Sequence, residues 1–416
     1  MNEAHQTMVS DIQMADSIDS IYEASLNAVQ QWVEDRNYKG YDPGDGLTSW
    51  FRPLTFRNKF AERVLQQVIW KAPVNLRPIA GIKPMDSTKG RGFMAWGYLL
   101  RHKSTGRPEY LQKALDCLNW LDENSVDKYP GKSWANHFDF TTRSGTMPAG
   151  EPTIVWSGLI GQAFLEAFEQ TSDERFLKIS EGICKWILNL PRLKTESGDC
   201  LSYVAYGGSW IHNSNMLGAA MLARTWKHAP RDEYLDVSRE AMRYSCTRQL
   251  PDGAWYYGEE SKYHWIDNFH TAYNLDSLKR FLDSTGEETF REHLHSGYAY
   301  FKDTFFERSG RPRYYHNRTF PVDIQCAAQA IDTFAFFSKV DPEASMHGNK
   351  VAQWVIANMQ DPTGYFHYRH YPILRARIPY FHWGQGTMFK ALAHLLDCTT
   401  GGKDTATVCQ VEHSVS

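Results

Sequence analysis

The sequence is poor in the features that mark several large protein classes. Its seven cysteines are scattered, odd in number and never spaced as CxxC. That pattern suits reduced thiols in a cytoplasmic setting better than a disulfide framework. No window approaches the roughly 18 to 20 apolar residues of a membrane span, so no integral membrane segment is expected. The opening stretch MNEAHQTMVSDIQMADSIDS has no basic n-region and no apolar h-region, and does not read as a secretory signal. A net charge of −3 leaves no basic footprint for nucleic acid. No Gly-rich loop offers a phosphate cradle, and no cofactor is expected.

Aromatic residues, in contrast, are plentiful. The 416 residues include 14 Trp, 22 Tyr and 22 Phe, and 42% are hydrophobic, enough for a large core. Aromatic rings fill cores, and they also stack on flat apolar faces such as those of sugar rings.

A repeat organises the chain. RPEYLQKALDCLNWL, DERFLKISEGICKWI, RDEYLDVSREAMRYS and EETFREHLHSGYAYF each open with acidic residues and an aromatic. Each continues with apolar residues at helical spacing, as four copies of one amphipathic helix would. FRNKFAERVLQQVIW and NKVAQWVIANM read as a fifth and a sixth copy. Each copy is followed by a loop rich in Gly, Trp and Tyr, then by a more apolar helix such as GLIGQAFLEAF. The repeat length, roughly 54 to 61 residues, suits a helical hairpin with a long loop. The expected fold is all-α: an (α/α)6 toroid of six hairpins with an additional N-terminal helix over residues 11–36. Residues 1–400 are expected to form one domain and 401–416 a disordered tail. In such a ring the inner helices all start at one end, where the loops converge on a pocket.

The stretch WIDNFHTAYNLDSL begins one of these inner helices. Asp267 and His270 lie on its first turn. Asp267 reads as an N-cap, and it is also placed to orient His270. Asp323, after Pro321, reads as another cap. The loops before the inner helices add Trp134, Asp139, Arg143, Asn215, Trp255, Tyr257, Trp265, Tyr315 and His382, with Arg77 and Lys83 further upstream. Aromatics, amides, carboxylates and guanidiniums together suit a saccharide, and the basic residues suit an acidic one. Asp139 and Arg143, four apart, read equally as an internal ion pair.

Asp323, Cys326 and His382 invite comparison with toroidal protein prenyltransferases, which bind zinc through Asp, Cys and His. The spacing here is DxxC rather than DxC, and Cys326 in CAAQAI reads as a small hydrophobe, so no metal is assigned. QLPDGAW is similar to the Gln-Trp motif of terpene cyclases, but their DxDD and DDxxD signatures are absent.

Eight segments occur in the order of a known family: YDPGDGL, NLRPIAGIK, FDFTTRSG, PTIVWSGLIGQAFLEAFEQT, QLPDGAWYYG, WIDNFHTAYNLDSL, YYHNRTFPVDIQCAAQAI and NMQDPTGYFHYR. From about Tyr38 to Leu396 the chain resembles bacterial and archaeal proteins of surface-polysaccharide and glycoprotein-glycan biosynthesis. The resemblance implies a six-hairpin-glycosidase-like toroid, and an archaeal relative is a proposed hexuronic acid isomerase of N-glycosylation. Many members carry the name aminolevulinate dehydratase. That enzyme is a TIM barrel with Schiff-base lysines, and this chain lacks the alternating strands. WGQGTMF, from Trp383, departs from the family pattern, where a bulkier aromatic stretch is expected.

The expected function is isomerisation or epimerisation of a uronate-type sugar by proton transfer. His270 is the base, Asp267 sets its tautomer, and Asp323 or Tyr315 is the partner acid. Arg77, Lys83 or Arg143 neutralises the sugar carboxylate, and Trp134, Trp255 and Trp265 stack on the ring. Other glycan-assembly proteins are the expected partners. Two alternatives stand beside it: hydrolysis with Asp267 and Asp323 as an acid and base pair, and a non-catalytic glycan-binding subunit.

Overall fold

The computed structural model describes the backbone of residues 2–142 and 145–411, and side chains within 18–142 and 145–399. Its helices are α1 (Asn2–Glu34), α2 (Lys59–Lys71), α3 (Thr88–Thr105), α4 (Pro108–Glu123), α5 (Ile154–Thr171), α6 (Glu174–Leu188) and α7 (His212–His228). They continue as α8 (Asp232–Cys246), α9 (Asn268–Thr285), α10 (Arg291–Thr304), α11 (Ile324–Phe337), α12 (Ala344–Met359) and α13 (Thr387–Val411). Strands are short and confined to the loops.

Helices α3, α5, α7, α9, α11 and α13 pack side by side, and α13 returns to α3, so the inner ring is closed. The fold is the expected (α/α)6 toroid. Composition decides which helix lies inside. In α5, thirteen residues from Ile154 to Ala167 are buried, as a helix surrounded on all sides requires. Its partner α6 buries one stripe, including Phe176, Ile183 and Ile187, and faces water with the rest. Outer helices also begin with acids, such as Asp232 and Glu233 of α8, which favour a helix N-terminus.

The sixth outer helix is α1, where an additional helix was expected. Its Tyr22, Leu26, Val29 and Val33 belong to the main core. Glu34 accepts from Tyr98 of α3 and Lys113 of α4, while Gln360, just past α12, donates to the Ser25 carbonyl. The helix outside the ring is instead α2, read from sequence as an outer copy. The last helix runs through Val411, into the stretch expected as a tail; residues 412–416 lie outside those described.

A circle of backbone pairings closes the mouth. Cap residues of the inner helices pair with the loop of the next hairpin: Thr153 with Val204, Ile211 with Gly258, Asp267 with Tyr315, Asp323 with Arg369, and Tyr380 with Tyr41. The segment carrying α2 is tied to this rim by a buried ion pair. Arg77, fully buried, donates to both oxygens of Asp45 (2.9 and 2.8 Å) and to the Asp42 carbonyl, and its guanidinium lies over Tyr380. Replacing Arg77 by Met leaves Asp45 buried and unpaired. It should cost about 3–5 kcal/mol in urea unfolding.

A second buried network crosses the seam between α11 and α13. Asp332 accepts from Lys390 (2.5 Å) and His394 (2.9 Å). Burial pulls the His394 imidazolium down, but Asp332 and Cys398 together outweigh this and raise it from 6.5 to about 9. The folded chain therefore holds this proton more tightly than the unfolded chain. The resulting stability is complete below about pH 6.5 and is lost as pH rises through about 9. Urea unfolding across that window should show the loss, and His394→Gln should flatten it.

Candidate active site

The first turn of α9 builds the centre of the site. Asp267 caps the helix, with Oδ1 accepting the His270 backbone N–H at 3.0 Å. Its Oδ2 accepts from the Trp265 indole at 2.9 Å and lies 2.7 Å from Nδ1 of His270. A carboxylate that takes so many donors is an acceptor, so the neutral imidazole is the tautomer with its proton on Nδ1 and its lone pair on Nε2. No hydrogen bond to Nε2 of His270 occurs among the described residues. The His270 side chain is 20% exposed, whereas Asp267 beneath it is 1% exposed.

Around this pair lies a small recess of about 10 Å³, lined also by Trp255, Tyr257, Trp265, Thr271, Asn213 and Asn274. Tyr257 stacks on Trp265 with ring centroids 4.5 Å apart, and lies 4.5 Å from His270. Burial pushes the Tyr257 hydroxyl well above its ordinary value. The side-chain oxygens of Asn213 and Asn274 are buried without a protein partner.

A second histidine is held in the same way. His382 sits in a π-helical turn, Phe381–Gly386, that opens α13. Its Nδ1 bonds Asp42, which comes from the start of the chain. Burial alone would raise the Asp42 carboxyl, but His382 holds it below the ordinary range. The wide turn is the work of WGQG. A Cβ on Gly386 would lie 3.2 Å from the Gly90 carbonyl of α3, so glycine allows that close approach. Gln385 bonds Phe366 and Tyr380 and fixes the turn from beneath. The departure at Trp383 thus forms the sixth wall. Ring contacts run from His270 through Phe269 and Trp383 to His382, at centroid separations of 3.9, 5.4 and 6.0 Å.

Beside His382 lies Lys89, on the first turn of α3. It is buried, with Nζ 5.3 Å from the Trp156 ring, and Trp156 is 6.2 Å from His382. Burial lowers the Lys89 ammonium to about 8, with Asp42 pulling the other way. Lys89 was absent from the sequence candidates; its position, on the first turn of an inner helix, was the available signal.

Several candidates are placed elsewhere. Trp134 is fully buried, donates its indole N–H to the Leu121 carbonyl at 2.7 Å and stacks on Phe164, so no ring face is left for a sugar. Asn215 is fully buried, bonded to Leu201, Ala241 and Ser245. Arg77 is committed to Asp45, and Lys83 lies exposed on the loop that follows. Asp139 pairs with Arg52 at 2.6 Å; Arg143 lies outside the described residues. Asp323 is fully buried, caps α11, and accepts from Arg369 and from the Trp383 indole, which leaves it no freedom as an acid. Tyr315 reaches the rim through its backbone pairing with Asp267, and its ring lies 4.6 Å from Tyr314. Trp255 is buried with its N–H on the Ser245 carbonyl and shows the recess only an edge of its surface. The structure therefore brings together Asp267, His270, Trp255, Tyr257 and Trp265 around one recess, and His382 lies beyond it, on the far side of the Phe269 and Trp383 rings. Among the described residues no three His, Cys, Asp or Glu gather in a metal-ligating arrangement, and no helix is long and apolar enough to cross a membrane.

No family model matches this sequence, and no curated protein matches it. Solved structures do share its fold. Cellobiose 2-epimerase from Bacillus thermoamylovorans superposes with a TM-score of 0.60 at 11% identity, over 76% of this chain and 88% of that one. A sugar epimerase from a ruminal bacterium gives 0.56 at 12% identity, over 75% and 90%. An unsaturated glucuronyl hydrolase specific for heparin gives 0.62 at 11% identity, over 92% and 98%. At such identities the likeness is one of fold, the (α/α)6 toroid.

Proposed function

We propose that this chain is a cytoplasmic enzyme of glycan biosynthesis that isomerises or epimerises a uronate-type sugar by proton transfer, alongside other glycan-assembly proteins. The observation that carries this reading is the paired arrangement of His270 on Asp267 and His382 on Asp42. Each histidine is anchored through Nδ1, leaving Nε2 for chemistry. One imidazole, neutral at Nε2, takes the proton from the carbon beside a carbonyl or carboxylate; the other enters as the imidazolium and returns its Nε2 proton to the resulting intermediate. His382 thereby takes the acid role first given to Asp323 or Tyr315. Lys89, rather than Arg77 or Lys83, is the cation placed to offset a carboxylate. Trp265 and Tyr257 supply ring faces, and the amides of Asn213 and Asn274 supply hydrogen bonds to hydroxyls.

Two fold neighbours are named as epimerases and one as a glucuronyl hydrolase, which supports a sugar substrate and admits a uronate. Hydrolysis by Asp267 and Asp323 fits less well. Both are buried helix caps, and Asp323 is held by Arg369, so neither is poised beside a free water as an inverting pair requires. A purely binding subunit has no need of two histidines oriented by buried carboxylates.

Incubation with uronate-containing sugars in heavy water, read by mass spectrometry, tests the reading. Deuterium should enter a carbon position of an intact sugar. His270→Gln and His382→Gln should each slow this by about 10²–10⁴-fold. Cleaved products without carbon-bound deuterium would establish hydrolysis instead, and full exchange in both variants would remove the histidines from the mechanism.

A further inference from the structure

Helix α2 turns much of its apolar surface outward. Its inward face carries Ile69 together with Glu62 and Gln66, at 3%, 5% and 1% exposure, while Phe60, Val64 and Val68 point outward at 77%, 46% and 55% exposure. The polar face is fully engaged. Glu62 pairs with Arg52 at 2.9 Å, and the Gln66 amide grips both the N–H and the carbonyl of Thr141, at 2.6 and 3.0 Å. Burial of apolar area would turn such a helix the other way. The exposure extends to both sides, with Leu54 at 70% and Phe56 at 88%. Among the described residues, nine of the fifteen exposed large hydrophobics lie between Trp50 and Ile79. Single exposed hydrophobics are ordinary, but a cluster of this kind marks an interaction surface.

Charge identifies the occupant. Arg57, Lys59, Arg63 and Lys71 are exposed along the same segment. The one acid between Trp50 and Met85 is Glu62, which is buried and paired. Arg63 and Lys71 line a groove together with Phe60, Val64 and Val68, so cations and apolar side chains share one face. A second copy of the chain would set these cations against their own equivalents across a twofold axis, where like charges repel. Apolar side chains framed by lysine and arginine fit a surface that is apolar beneath and negative on top.

We propose that the α2 segment docks the protein on an anionic lipid bilayer. Phe56, Phe60, Val64 and Val68 enter the interfacial layer, and the four cations meet lipid phosphates. The segment is fastened to the rim by Arg52 on Asp139 and by Trp70 on Tyr368 at 2.7 Å, so docking brings the rim of the mouth to the membrane. The proposal does not depend on the reaction assigned to the site.

The full chain should sediment with vesicles of phosphatidylcholine and phosphatidylglycerol, but not with phosphatidylcholine alone, and added salt should release it. Arg63→Gln with Lys71→Gln should weaken binding about twenty-five-fold, at about fivefold per cation. Phe60→Ser with Val64→Ser should also release the protein, while leaving the fold unchanged by circular dichroism because both side chains already face solvent. Failure to bind phosphatidylglycerol vesicles at low salt, or unchanged binding in both variants, would overturn the proposal. So would a dimer in light scattering that Phe60→Ser with Val64→Ser converts to a monomer, which would make a second copy the occupant.

Discussion

Six inner helices that start at the same end leave their unbonded backbone N–H groups around one opening. Satisfying those groups is the constraint on which the rest of the mouth depends. Ser87, Thr153, Asp267 and Asp323 do it with side-chain oxygens, each on its own helix. Polar residues are therefore drawn to the place where the core becomes a cavity. This explains why WIDNFHTAYNLDSL begins polar and ends apolar. One carboxylate, Asp267, serves the backbone, an indole and an imidazole together, so the atoms that end the helix also orient the reactive side chain.

The repeat was legible because its signals are local. Inner and outer helices differ in how much of the circumference is apolar, and that can be counted along the chain. Asp267 and His270 were legible for the same reason, since cap and histidine are three residues apart. The second pair was not, because Asp42 and His382 are 340 residues apart and meet only when the ring closes. Lys89 lies in KGRGF, a stretch with no marker of chemistry in its spelling.

The misplaced residues share a cause. Trp134 and Asn215 have the composition of binding residues, but their polar atoms are used by nearby backbone, and sequence does not reveal a partner's position. Arg77 was read for its charge, whereas burial against Asp45 decides its role. Helix α2 shows the limit of periodicity. Its apolar stripe was read correctly, but periodicity reports that a stripe exists and is silent on which way it faces.

The rim pairings have a further consequence. At five of the six inner-helix starts, all but that of α3, the cap residue is also the backbone partner of a neighbouring loop, so most of the mouth is girdled by a hoop in place of separate flaps. Loop segments on the solvent side of the hoop can lengthen or shorten without changing the radius of the opening. The diameter of the aperture is set by the six helices, and the loops above it are where one member of the fold can diverge from another.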